Sequence, residues 1–440
     1  MIPLSPVTQS LHQCVYCLTA LEVMGWYMPG MRSLADLRCK TCGREFFGDM
    51  ATGQALYTPM LLEKKTGEVF DQHNVNWFAD WFRESYASRV DSPVPFVVVE
   101  QLPITRPVVL LNCIDTLYGH SLLKLLNAQY YIDQQPDLDL VVLVSSLLSW
   151  MVPKGAAQVW IVDLPLSRGT EWNDWLAREI HRRTGEWDQA FLSVAFPHPH
   201  PGDFDIERFT GVKPFPVDEW LQRLERPTVT FVWREDRQWR PPKVGIKARG
   251  VARFAGRLHS DRKALEDQAQ EIIQLARGLQ REWPVIDFAV VGIGHPAGFP
   301  DWIEDIRKPV LDEVTEVEWC SRYAASHLVI GAHGSNMLLP SAHAGGFIEL
   351  LPPERWGNYL QDIFLGQGDV RDTFFRCRFV PASTTAAELS MLAASILRKY
   401  PAFTVMMGGE SSRHGGDYQT LRDRGRRSET HERWDRRSTT

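Results

Sequence analysis

The residues of this chain best suited to chemistry stand in one turn, Gly331-Ala332-His333-Gly334-Ser335-Asn336, between two apolar runs at 328–330 and 347–351. An imidazole, a hydroxyl and an amide sit there beside glycines that let a ligand approach the backbone. The pattern reads as strand, turn, helix, turn, strand, and in open α/β sheets ligands bind outside the carboxyl ends of such strands. Backbone amides that open the following helix attract anions. His333 would then donate to a phosphate or a sugar hydroxyl. Ser335 and Asn336 would do the same, or only cap the helix. Glu349, inside the second run, needs a partner if it is buried. A ribose diol and an arginine both qualify.

Three further groups carry candidate chemistry. Arg234, Glu235 and Arg237 follow the apolar run 229–233. Arginine forks at a strand end suit a diphosphate, although a solvated charged loop reads the same way. Asp115, Tyr118, Gly119 and His120 follow the run 108–111. Asp115 or His120 could serve there as a general base on an acceptor hydroxyl, or merely cap and pack a helix. Finally, Cys14 and Cys17 form one CxxC pair and Cys39 and Cys42 another. Two such pairs supply the four thiolates of a closed tetrahedral zinc site, which leaves no open position for catalysis. Gly43 fits the tight turn after the second pair. A segment this short has little core of its own, so the metal would supply its folding energy.

The elements that position these groups alternate. Strands are expected at 108–111, 138–144, 158–162, 229–233, 285–293, 328–330 and 347–351. Helices are expected at 77–86, 118–131, 173–184, 263–283, 318–325 and 386–399, with short helical or loop structure at 302–311. Such alternation predicts parallel sheets covered by helices. Four divisions follow: a zinc ribbon over 1–58, an α/β unit over 59–226 that starts with a connector, a second α/β unit over 227–405, and a polar, disordered tail over 406–440. The Pro-rich stretch 196–201 contains His198 and His200, but its prolines favour a surface loop over a metal site.

With 440 residues, 44% hydrophobic and 23% charged, the chain has the composition of a globular protein of two or three domains. A net charge of -6 argues against nucleic acid as a global partner. No apolar run reaches the ~20 residues that span a bilayer, and the first residues lack a secretory pattern. A cytoplasmic location with no membrane span is therefore expected, which fits metal-binding rather than disulfide-bonded cysteines.

The stretch 327–353 resembles the donor-site signature of family 61 glycosyltransferases and related enzymes of the GT-B type. The likeness rests on Gly331-Ala332-His333-Gly334-Ser335-Asn336, on Gly345-Gly346, and on Ile348-Glu349-Leu350-Leu351-Pro352. Val232-Trp233-Arg234-Glu235 is similar to the strand-end arginine of that family, and Tyr118-Gly119-His120 to its N-terminal Gly-His element. The likeness is good over 228–353 and thin before it, and Ser335-Asn336 departs from the usual Gly-Ala. It implies an α/β, GT-B-like pair of Rossmann-like domains facing a cleft, here with an added N-terminal four-cysteine zinc ribbon. It further implies inverting transfer of a sugar from a nucleotide-sugar donor to an acceptor that the sequence does not identify, without a catalytic metal. Arg234, Arg237, His333, Gly334, Ser335, Asn336 and Glu349 would bind the donor, and His120 or Asp115 would be the base. The ribbon is not part of that family pattern; it would contact a protein partner or help recognise the acceptor. The competing expectation is a zinc-ribbon binding or scaffold protein on a catalytically inactive GT-B body.

Overall fold

The computed structural model describes residues 1–5, 8–10, 12–239, 262–361, 363–364, 370–403 and 406. The expected tail therefore lies outside the described residues apart from Met406.

Runs of Val, Ile, Leu and Phe without a polar face must be covered on both sides. Three such runs, Thr228–Val232, Leu328–Ala332 and Gly346–Leu351, are buried at every position. With Asp287–Val291, Ile303–Asp305 and Cys377–Pro381 they form a six-stranded sheet in which every neighbouring pair is parallel. Numbered along the chain within this sheet, the strand order is 3-2-1-4-5-6, that of a Rossmann sheet. The order reverses between Thr228–Val232 and Leu328–Ala332, which lie side by side. The helix Arg262–Glu282 buries Ile272, Ile273, Leu275, Ala276 and Leu279, one apolar stripe at helical spacing, against the core shared with this sheet. The helix Glu313–Ala325 is capped by Asp312, which accepts from the Thr315 N–H at 2.9 Å. A last helix spans 386–403.

The other α/β unit has a sheet of Val108–Asn112, Asp139–Ser145, Gln158–Val162 and Ala190–Leu192, parallel throughout. Antiparallel edge strands, Ile2–Ser5 and Phe96–Glu100, close it at either side. The expected helix over 118–131 is two helices, Tyr118–Leu125 and Ala128–Gln134. Asn127 separates them and donates its amide to the carbonyls of Leu123 and Lys124, which would otherwise continue the helix. The span 302–311 contains the edge strand Ile303–Asp305, too short to show a period in sequence.

The N-terminal unit extends beyond the expected boundary at 58. Its antiparallel sheet comprises Glu22–Tyr27, Leu34–Arg38, Glu45–Asp49, Leu61–Glu63 and Val69–Phe70. The last two strands lie within the expected connector, where Leu61 and Leu62 pair with Gly48 and Phe47. Residues 2–5 belong instead to the neighbouring α/β sheet. The helix Asn76–Ala87 packs on the N-terminal sheet, burying Phe78 and Phe82. Between them Arg32 is buried with Asp49, donating to both its carboxylate oxygens at 2.9 and 2.8 Å. The guanidinium lies 3.9 and 4.1 Å over the rings of Phe78 and Phe82. A charge taken this far from water persists only when paired and stacked in this way.

Candidate functional site

A cleft of about 440 Å³ opens at the point where the strand order of the C-terminal sheet reverses. Arg234 and Glu235 reach it from the end of Thr228–Val232, and Ser335 and Asn336 from the end of Leu328–Ala332. Tyr118 and Leu166 of the first α/β unit face them across it. Trp233, Trp319 and Tyr323 give it an aromatic wall.

Arg234 is held in place by two partners. It donates to the Asn336 side-chain oxygen at 2.5 Å and, through Nε and Nη2, to Asp236 at 2.9 and 2.6 Å. Arg237 donates to the backbone carbonyl of His333. Both guanidiniums crowd Gly334: a Cβ there would overlap Arg234 Nη1 and lie 2.9 Å from Arg237 Nη1. Gly334 has φ 148° and ψ 176°, a region that side chains essentially exclude. The turn thus requires glycine for two independent reasons.

His333 and Glu349 do not line the cleft. They lie beneath the turn, fully buried, with Nδ1 of His333 2.7 Å from Glu349 Oε2. The His333 imidazole is thus one partner of the Glu349 carboxylate. Burial, followed by the charges of Arg237, Arg355 and Arg234, pushes the His333 pKa down to about 4, so the ring is neutral at pH 7. Neither Ser335 nor Asn336 caps a helix. The helix after the turn, Leu338–His343, is only six residues long, and so short a helix offers little of the aligned dipole that the sequence suggested. The polar side chains are the main feature of this end of the cleft.

The candidates of the first unit lie elsewhere. Asp115 is buried, with Lys124 Nζ at 2.8 Å and His120 Nδ1 at 3.4 Å. Burial opposes its ionisation, but Lys124 and His120 outweigh it and hold the carboxyl well below the usual range. Asp115 and Lys124 border a gap of about 20 Å³, closed by Arg32, Asp49 and Gly53 of the N-terminal unit. His120 is partly buried beside Asp115 and is not among the residues that line the cleft. Its neighbour Gly119 packs so closely on Ser335 that a Cβ would meet the Ser335 Cβ at 2.7 Å.

The four cysteine sulfurs lie within 4.8 Å of one another. Cys17 and Cys39 sulfurs are 3.4 Å apart, and those of Cys14 and Cys42 3.7 Å. Tetrahedral zinc with sulfurs at about 2.3 Å requires sulfurs about 3.8 Å apart, so the donor set fits this ion. Gly43, at φ 72°, makes the expected turn, and its N–H donates to the Cys39 carbonyl at 2.9 Å.

The sequence did not single out Glu316. It lies on the helix Glu313–Ala325 and lines the cleft, yet is only 3% exposed. Across the interface Tyr118 donates its hydroxyl at 2.5 Å and Trp150 its indole N–H at 3.1 Å. Burial, against these two hydrogen bonds, pushes the Glu316 pKa up to about 7. Nothing in the sequence around 316 distinguishes it from the exposed acids of the same helix; only its two partners from the first unit do.

No protein-family model matches the chain and no curated protein sequence matches it. Solved structures do. ADP-heptose LPS heptosyltransferase II of E. coli aligns at 10% identity and TM-score 0.37, over 68% of this chain and all of that one. The dodecameric, iron-containing glycosyltransferase TibC of enterotoxigenic E. coli aligns at 10% identity and TM-score 0.30, over 90% of this chain and 99% of its own. A putative UDP-N-acetylglucosamine 2-epimerase of Listeria monocytogenes aligns at 11% identity and TM-score 0.28, over 68% of this chain and 67% of its own. A function for this chain has to be argued from its own site.

Proposed function

We propose that this protein is a glycosyltransferase that moves a sugar from a nucleotide-sugar donor to an acceptor hydroxyl, with inversion and without a catalytic metal. The observation that carries this reading is the open cleft at the reversal of the parallel sheet, with Arg234, Ser335 and Asn336 at the strand ends and the first unit facing them. Arg234 and Arg237 supply the positive charge that a leaving diphosphate needs. An arriving phosphate takes Arg234 from Asp236, whose side chain is 54% exposed. Ser335 and Asn336 hold the donor. Gly334 admits it to the backbone, and the pair His333–Glu349 supports the turn from below. His120, oriented by the Asp115 carboxylate, takes the proton from the acceptor hydroxyl as it attacks the anomeric carbon and the nucleoside diphosphate leaves. The four cysteines hold zinc in a structural role.

A nucleoside diphosphate is expected to raise the melting temperature, and Arg234→Ala to abolish that rise. Sugar release from a nucleotide sugar is expected to survive removal of free divalent ions and to fall at least tenfold in His120→Ala. A full thermal shift retained in Arg234→Ala sinks the site. Failure of wild type to bind any nucleotide favours the scaffold reading on an inactive body.

A further inference from the structure

The far wall of the cleft holds two polar groups that the diphosphate reading does not use. Trp233 is 3% exposed, and its indole N–H has no hydrogen-bond partner among the described residues. A buried N–H left unmade costs about 1–3 kcal/mol, so its retention at a cleft wall points to a ligand acceptor. Arg307 stacks 4.5 Å over the Trp233 ring and fixes the plane in which that N–H lies. Glu235 lines the same cleft, and its carboxylate forms no hydrogen bond or ion pair with the described residues.

The two groups converge on one point. A side chain starting at Gly294 would place its first carbon 3.0 Å from Glu235 Oε1 and 3.2 Å from Trp233 Nε1. Glycine leaves that space to a ligand, which would meet an acceptor-only carboxylate and a donor-only indole side by side. A phosphate does not satisfy this pair, because the carboxylate repels it. A neutral edge with an N–H or O–H donor next to an acceptor satisfies both groups. The nucleoside part of a nucleotide presents such an edge, on the base or on the ribose diol.

We infer that Trp233 and Glu235 read the nucleoside of the donor, Glu235 accepting its N–H or O–H groups and Trp233 donating to its neighbouring oxygen or nitrogen. This rests on the nucleotide-sugar reading of the cleft. It makes the pair a specificity device separate from the diphosphate clamp at Arg234.

The test is calorimetric binding of ADP, GDP, CDP, UDP, their 2′-deoxy forms and inorganic pyrophosphate to wild type, Glu235→Gln, Trp233→Phe and Gly294→Ala. The expected result is a tenfold or greater loss of nucleoside diphosphate affinity in each variant, with pyrophosphate affinity kept within about twofold in the first two. A loss in Glu235→Gln that the 2′-deoxy ligands reproduce in wild type assigns the ribose. A loss that depends on the base assigns the base edge. Wild-type nucleotide affinity in both Glu235→Gln and Trp233→Phe overturns the inference while the cleft reading stands. Absence of nucleotide binding in wild type removes the cleft reading itself. Equal loss of pyrophosphate and nucleotide in Glu235→Gln and Trp233→Phe returns the pair to the diphosphate site or to folding, and also overturns the inference.

Discussion

The two α/β units share one construction, a central parallel strand ending in a turn that opens a helix, but they use it in opposite ways. In the first unit the ends of Val108–Asn112 and Ala190–Leu192 are plugged by the N-terminal sheet unit. Gly53 donates its N–H to the Val194 carbonyl at 2.8 Å, and Asn112 donates to the Gly30 carbonyl at 3.0 Å. About 20 Å³ remains, room for roughly one water. In the second unit the equivalent crevice stays open at about 440 Å³. Strand order creates a crevice, and whatever packs against it decides whether the crevice is a site. The charges follow the same division. In the plug they come in buried pairs, Arg32 with Asp49 and Lys124 with Asp115. In the open cleft Glu235 and Asp236 keep contact with solvent.

Breaking the plug should have the largest effect. Arg32→Ala leaves Asp49 buried and uncompensated, which costs about 3–5 kcal/mol. The urea midpoint should fall accordingly, while nucleotide affinity of the folded fraction stays unchanged. An unchanged midpoint would show that the pair does not hold the plug.

Glu316 tests the seam between the units. Its folded pKa, about 7, lies above the ordinary value of 4.5, so the folded chain binds this proton more tightly than the unfolded chain. The stability it contributes is full below the ordinary value and is lost as pH rises through 7. The loss is on the order of 3 kcal/mol. Glu316→Gln cannot titrate, so its stability relative to wild type should rise between pH 5 and pH 8. Parallel urea curves for the two proteins at both pH values would refute the assignment.

The smallest effect on folding, and a sharper one on binding, is expected of Gly334→Ala. The backbone there excludes a side chain at a cost of about 1–3 kcal/mol, and the new carbon displaces Arg234. Nucleoside diphosphate affinity should fall roughly tenfold to a hundredfold. Affinity equal to that of wild type would mean that the turn does not position the arginine.

Much of this was legible in the residues. The four cysteines and Gly43 announced a compact thiol cluster, because CxxC spacing is local chemistry. The strands at 108, 158, 228, 328 and 346 appeared as largely apolar runs, because most of their side chains are buried on both faces. The strands at 61 and 69 were missed, because two or three residues carry no period and their pairing partners lie elsewhere in the chain. The site was half legible. Arg234, Ser335 and Asn336 meet at one end of the cleft, as strand-end residues of neighbouring strands must. His333 and Glu349 meet as well, but below the turn and with each other.

The sequence by itself determined the elements, their alternation, the thiol cluster and the turn at 331–336, since each depends on residues close along the chain. Only the tertiary structure decided which crevice is filled, that Asp115 faces a plug with His120 beside it, and that Glu316 and the pair Trp233–Glu235 count for anything. Those outcomes depend on burial and on partners far away in sequence, and burial is what turns an ordinary carboxylate or indole into a group with a fixed partner or an unmet need.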